Sequence, residues 1–561
     1  MLLNIRRGFL SAGRPFLLSL SLIVCICGTA LAQVPGQKEA EQEKRDSAAV
    51  KELSNTPVPP VKPASPAAAV ADGPRVLVRS ILFSGQSVFN EKQLNGIIAA
   101  DLNRQLSLAD LKLLAARVAA YYHDQGYFLA QVLIPQQDIK NKDGAVKFLV
   151  FEGKLGQINI VGNKRCGEQY IRRAMSAVQP GKPIRRQDIE RALRVLNESS
   201  GIKVSSVLRA GKDTGTTDVT IEVTEQNEMQ STLEINNFDL KSTDRYRLMP
   251  KLLFPNLSGR GDALDLSVNV TPETGYTNYG QISHVMPLGS RGLQLKTFAS
   301  GGRFEVAREF AVLDIKGDNM AWGIGLAYPH LLTAAASKGY EAWLESRDSE
   351  QSMLGITTSK DQIRKLRLAY NVDTRDSLGR TFYSFGVHQG LGESLGGMPS
   401  ESTLSSRSFA RADNDFTKVT SDLTRVQRVN SHLYLIGRLS GQYSFLPLVA
   451  GEQWSIGGAN SVRGHVQSTY LGDDGFTANL EGRLSLSPDN RYQLAMFVDH
   501  GQIHIKKPLL GQENTQSLSG MGLGIRASVL DSLDLRLDWG VPLGQNTGND
   551  SLLYAQTVYS F

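Results

Sequence analysis

From about residue 227 to the C-terminus, every second side chain is apolar and the residues between are frequently ionic. In "DALDLSVNV", Leu264, Leu266, Val268 and Val270 alternate with Asp265, Ser267 and Asn269. "KLRLAYN" sets Leu366, Leu368 and Tyr370 against Arg367 and Asn371, and "NLEGRLSL" sets Leu480, Leu484 and Leu486 against Glu481, Arg483 and Ser485. "SLDLRLDW" repeats the pattern, with Leu533, Leu535, Leu537 and Trp539 against Asp534, Arg536 and Asp538. A period of two belongs to strands that bury one face. A large soluble antiparallel sheet buries one face as well. The recurrence of such segments, the aromatic ending "YAQTVYSF" with Tyr559 and Phe561 on one parity, and an export signal favour lipid instead. In lipid every peptide group must be paired internally, so spanning strands have to close into a barrel. At roughly ten residues per strand plus turns, the span 227–561 fits a strand number in the mid-teens.

The export signal lies at the start. Arg6, Arg7 and Arg14 precede the apolar "PFLLSLSLIVCICG", and "ALA" ends at Ala32, which predicts cleavage before Gln33. Residues 1–32 thus read as a signal peptide. Their removal takes away three of 61 basic side chains and none of the 55 acidic ones. The near-balance that results, with no basic stripe, gives no sign of a nucleic-acid partner. Cys25 and Cys27 leave with the signal and Cys166 stays alone, so no disulfide framework or cysteine metal site is expected. Residues 33–54 include the polar helix-forming "QKEAEQEKRDSAAVKEL", read as polar on all sides, and 55–75 form a Pro/Ala-rich linker. Fully extended, that linker reaches on the order of 60 Å.

Two similar units follow, each β-α-α-β-β, an order that suits small α+β domains with helices on one sheet face. The first, 76–153, opens with "VLVRSILFSG", continues through "EKQLNGIIAA" and "SLADLKLLAARVAAYYHDQGY", and closes with "FLAQVLIP" and "GAVKFLVFEG". Ser107 and Asp110 match a capping box, and Leu111, Leu114, Ala115, Val118 and Tyr122 share a helical face. Gly126 is placed to stop that helix. The second unit, 154–226, repeats the order from "GQINIVGN" to "TDVTIEVTEQ".

One stretch of the barrel region stands out: "GGANSVRGHVQS", in which Arg463 sits among glycines. Glycines expose peptide N–H groups to anions, but the P-loop spacing and its Lys-Ser/Thr are absent. This stretch, with "LADLKLLAARVAAYYHDQGYFLAQVLIPQQDI", "VFEGKLGQINIVGN", "SFARADNDFTKVTSDLTRVQ", "EQWSIGGANSVRGH", "LGDDGFTANLEGRLSL" and "FVDHG", resembles the TpsB-type transporters of two-partner secretion. These are the haemolysin secretion and activation proteins of Gram-negative outer membranes. The resemblance implies two periplasmic polypeptide-transport-associated (POTRA) domains, at 76–153 and 154–226, and a sixteen-stranded transmembrane antiparallel barrel over 227–561. It implies an inward-folded loop whose tip, Val462, Arg463, Gly464 and His465, latches onto a lumen-wall motif of Phe497, Asp499 and Gly501. His465 departs from the Tyr or Phe usual there. It implies a plug helix at the N-terminus, a secreted TpsA-type substrate bound through the POTRA domains, surrounding outer-membrane lipid, and barrel assembly machinery that reads the terminal Phe561. Strand parity agrees on one point: Leu494, Met496 and Val498 face one way and Phe497 and Asp499 the other, so Asp499 points into the lumen. Export of a large partner protein is the expected function, with assembly of other outer-membrane proteins as the alternative. A passive porin would leave residues 76–226 unexplained. No catalytic, cofactor or metal site is expected: the acids of "DTRDS" and "GDDG" read as solvated loop and lumen structure, and the eight histidines show no metal-type cluster.

Overall fold

The computed structural model describes residues 45–50, 52–53, 74–137, 143–243, 245–272, 277–544 and 551–561. The signal segment with its Ala32–Gln33 cleavage site lies outside the described residues, as does most of the 55–75 linker.

In the first α+β unit, two helices cover one face of a three-stranded sheet ordered Ser80–Ser84, Ala145–Phe151, Gln131–Leu133. The longer helix, Leu108–Asp124, starts where the sequence places it. Ser107 Oγ accepts from the Asp110 amide at 3.2 Å, and Asp110 Oδ2 accepts from the Ser107 amide at 2.8 Å. Its face of Leu111, Leu114, Ala115, Val118 and Tyr122 fills the core against Val146, Phe148 and Val150. Two details depart from the pattern reading. "VLVRSILFSG" breaks at Arg79, whose amide bonds to Gly144 O at 2.9 Å; Val76–Val78 instead pairs with Arg104–Leu106. "FLAQVLIP" contributes only three strand residues, Gln131–Leu133, because Phe128–Leu129 turn to pack on the second unit.

The second unit places Lys154–Val161 parallel and Ile202–Ala210 antiparallel to the central Thr216–Glu225. It sits on the barrel through backbone contacts: the Gly167 amide donates to Gly259 O at 2.8 Å and the Ser200 amide to Gly261 O at 3.1 Å. Arg191 Nη2 adds a bond to Arg291 O at 3.1 Å. These turns therefore mark the end of the barrel that faces the α+β units.

Sixteen antiparallel strands, from Gln230–Asn236 to Leu552–Ser560, close on themselves. The seam runs from Gln556↔Asn236 to Ser560↔Thr232, and Ser231 and Phe561 exchange both backbone bonds at 2.9 Å beyond it. Parity sorts side chains as expected. Leu368 is 60% exposed on the outer wall, whereas its neighbour Arg367 points inward to Glu345 Oε1 at 2.8 Å. Asp265 faces inward to Lys251 at 2.9 Å, and Arg536 is buried. Among the described residues no helix is long and apolar enough to cross a membrane. Leu368→Lys is expected to cost about 2–4 kcal/mol in reversible unfolding from lipid vesicles, the penalty for a cation on the mid-depth lipid face. A change near zero would mean that this wall does not face hydrocarbon.

Candidate functional site inside the barrel

Between Leu433–Ser444 and Asp474–Ser485, at the end opposite the α+β units, the chain does not make a simple turn. It folds inward as a loop containing the short paired strands Trp454–Ile456 and Tyr470–Gly472. Its tip lies against the inner wall. Arg463 forms a two-pronged pair with Asp499, Nε to Oδ2 at 2.7 Å and Nη2 to Oδ1 at 3.0 Å, and its amide donates to the same carboxylate at 3.1 Å. Nη1 reaches Glu481 Oε2 at 2.6 Å, and Asp538 lies 3.5 Å away. The guanidinium stacks on Phe497, 3.4 Å from the ring centroid. The structure thus brings Arg463, Phe497 and Asp499 together. It also sets Val462 in an apolar cluster with Ile456, Ile503 and Leu518, beside Gly501, where an added Cβ would stand 2.9 Å from Val462 Cγ2.

Gly464 has a φ of +92°, and a Cβ there would meet Pro542 N at 2.8 Å, so the tip backbone can lie flat on the wall only with glycine. His465 does not stack as an aromatic substitute. Its Nε2 sits 2.9 Å from Ser519 O, where the ring N–H donates. The solvation of the tip decides how firmly the pair holds. A wet lumen places such a pair between the exposed and buried limits, yet Arg463 is 3% and Asp499 0% exposed. The pair therefore belongs with buried ones, whose disruption costs about 3–5 kcal/mol.

Three partners escape the sequence reading. Glu481 and Asp538 stand on inward parity, but alternation gives a face and not a depth. Around them gather three more arginines: Arg483 on Glu481 at 2.7 Å, and Arg526 and Arg536 on Asp538 at 2.6 and 2.9 Å. The third is Tyr554 on the last strand. Its hydroxyl donates to His465 O at 2.6 Å and accepts from the Gly464 amide at 3.0 Å, and its ring meets Phe238 just past the first strand. The tip is thereby tied to both sides of the seam. Tyr559 and Phe561 share the outer face, with rings 5.3 Å apart.

A helical segment, residues 45–50 and 52–53, also lies in the lumen. It is not polar on all sides: Ala49, Val50 and Leu53 pack against Phe382, Val426, Tyr434 and Ile436. Its polar groups meet wall arginines. Asp46 pairs with Arg438, Glu52 with Arg375 and Arg380, and Leu53 O accepts from Arg428 at 2.6 Å. Arg483 touches Ser47 Oγ at 3.3 Å while holding Glu481, so helix and loop tip share a wall residue. Among the described residues no group of histidine, cysteine and carboxylate side chains is placed to hold a metal ion.

Comparison with known proteins adds a context for this geometry. Residues 215–527 match the family described as haemolysin secretion/activation protein ShlB/FhaC/HecB. Residues 76–153 match the ShlB-type POTRA domain, and 154–226 a POTRA family described as surface antigen variable number repeat. The heme/hemopexin transporter protein HuxB of Haemophilus influenzae is 23% identical over 469 residues, covering 82% of this chain and 81% of that protein. The outer membrane transporter CdiB of Dickeya dadantii is 23% identical over 439 residues, 78% and 76% of the two chains. The solved structure of CdiB from Escherichia coli superposes with a TM-score of 0.76 at 18% identity, covering 94% of this chain and 99% of that one.

Removing the hydroxyl that bonds the tip to the last strand leaves the Gly464 amide without its partner. Tyr554→Phe is expected to lower stability in detergent by about 1–3 kcal/mol, read from the denaturant midpoint. An unchanged midpoint would show that this bond does not hold the tip.

Proposed function

The chain belongs to the haemolysin secretion/activation protein family, an outer-membrane transporter of two-partner secretion with POTRA domains in the periplasm, and from that premise we propose how its parts divide the work. The cargo is a large TpsA-type partner protein. It enters from the periplasm and leaves at the cell surface. The POTRA units bind an extended segment of it by strand addition. In the second unit, next to the barrel, Lys154–Val161 and Ile202–Ala210 are the outer strands of the sheet and offer edges for this. Surrounding outer-membrane lipid meets the apolar outer wall, and Phe561 with Tyr559 is the aromatic end that barrel assembly machinery reads.

The lumen is the route, and among the described residues two elements occupy it: the helical segment of residues 45–50 and 52–53 and the inward loop. We read the helix as a plug and the Arg463 tip as a latch. Each is held by ion pairs and hydrogen bonds that water or a passing polar chain can replace. The sequence carries no nucleotide-binding motif, so net movement draws on folding of the emerging partner outside the cell. No chemical step is assigned to the chain. The observation that carries this reading is the buried pair Arg463–Asp499, a charged bond made by a loop that no strand closure requires.

Arg463→Ala is expected to leave a folded barrel in the outer membrane while cutting export of the partner. Folding is checked by heat-modifiable migration and export by the partner's appearance in the medium. Normal export by this variant would refute the latch.

A further inference from the structure

The inward loop carries a second buried charge at its root. Glu452 ends the turn Ala450–Glu452 and is 3% exposed. Its carboxylate accepts from Lys365 Nζ at 2.7 and 2.9 Å, and Lys418 Nζ lies 2.8 Å from Oε2. Arg347 stands 3.9 Å away and donates to Gly451 O at 3.1 Å. The backbone is held as well, because Glu452 O accepts from Lys418 Nζ at 2.8 Å and from Gln442 Nε2 at 3.0 Å. Beside it Leu448 and Val449 pack on Ile363, Met398 and Phe416.

Root and tip use opposite polarity and different, neighbouring arcs of the wall. At the root the loop supplies the anion, and the cations come from Ala336–Met353, Ile356–Arg375 and Thr417–Arg428. At the tip the loop supplies the cation, and the anions come from Asp474–Ser485, Tyr492–His504 and Leu533–Leu543. Each clamp thus holds the loop by a charge of its own sign, although Glu345 also stands 3.5 Å from Lys365 at the root. Between the two clamps lie Gly457 and Gly458, both in the left-handed region with φ of +106° and +108°. Such consecutive glycines are where the backbone can change direction without a side-chain penalty.

We propose that Glu452 is the fixed end of the loop: the tip swings about Gly457–Gly458 while Glu452 stays seated on Lys365 and Lys418. Glu452 is then a positioning residue, which keeps the loop inside the barrel and returns Arg463 to Asp499 after each release. This rests on the reading of the tip as a latch.

The test uses the full-length protein on intact cells and a membrane-impermeant maleimide, with a single cysteine at the tip, Ser461→Cys, or near the root, Ser455→Cys. Cys166 is buried in the second POTRA unit. Arg463→Ala is expected to raise labelling at the tip and leave the root at the parent rate. Glu452→Gln is expected to raise labelling at the root by roughly tenfold or more, as loss of a buried charge partner implies. The exchange Glu452→Lys with Lys418→Glu is expected to bring it back toward the parent rate. Equal exposure of both positions in Arg463→Ala, or an unchanged root in Glu452→Gln, would overturn the proposal. If Glu452→Gln does not yield a folded barrel, Lys418→Gln supplies the same readout, with raised root labelling supporting the proposal and parent labelling overturning it. Labelling needs no partner protein, so a failed hinge is distinguishable from normal export by Arg463→Ala, which would remove the latch instead.

Discussion

Hydrocarbon offers no hydrogen-bond partner to a peptide group, and closure of the sixteen-stranded sheet follows from that constraint. Once the sheet is closed, strand parity leaves charged side chains nowhere to go but inward. The lumen becomes a confined space lined with arginines, lysines and carboxylates, and anything that occupies it is selected by charge. The helical segment of residues 45–50 and 52–53 and the inward loop are both held in part on these terms. Asp46 and Glu52 find wall arginines, Arg463 finds three carboxylates, and Glu452 finds two lysines.

The charged part of that hold differs from the apolar packing that both occupants also use. Burial makes an ion pair costly to break while the space stays dry, about 3–5 kcal/mol for loss of one partner. Once water enters, the same pair falls toward the surface value of roughly 0–1 kcal/mol. On the proposed reading of the tip as a latch, its firmness would depend on what else fills the lumen, and a polar chain arriving from the periplasm would change both the wetting and the available partners. Arg483 makes the two occupants interdependent, since it holds Glu481 on the loop side and touches Ser47 on the helix side.

Alternation made the barrel legible because parity is set by the backbone alone: Leu368 out and Arg367 in could be read without any contact. The pairing of Arg463 with Asp499 was legible only through family motifs, since the two are far apart in sequence and nothing local joins them. Glu481 and Tyr554 were not legible. Their parity points inward, yet which inward residues meet depends on strand tilt and stagger around the closed sheet, quantities that no short stretch encodes. The helical segment of residues 45–50 and 52–53 misled for a related reason. Its three buried apolar residues, Ala49, Val50 and Leu53, are too few to mark a face until Phe382 and Tyr434 supply the other half. In the first POTRA unit the break at Arg79 was equally hidden, because the bond that imposes it comes from Gly144, far along the sequence and brought alongside only by folding.

The most direct measurement is to lock the tip to the wall and ask whether export stops. Val462→Cys with Gly501→Cys places a new sulfur beside each backbone where a Cβ on Gly501 already approaches Val462 Cγ2 to 2.9 Å, within reach of disulfide geometry. If transport requires the tip to leave Asp499, the oxidised double variant exports no partner protein and reduction restores export to the level of the reduced control. Full export through the oxidised, cross-linked barrel would contradict a latch that opens.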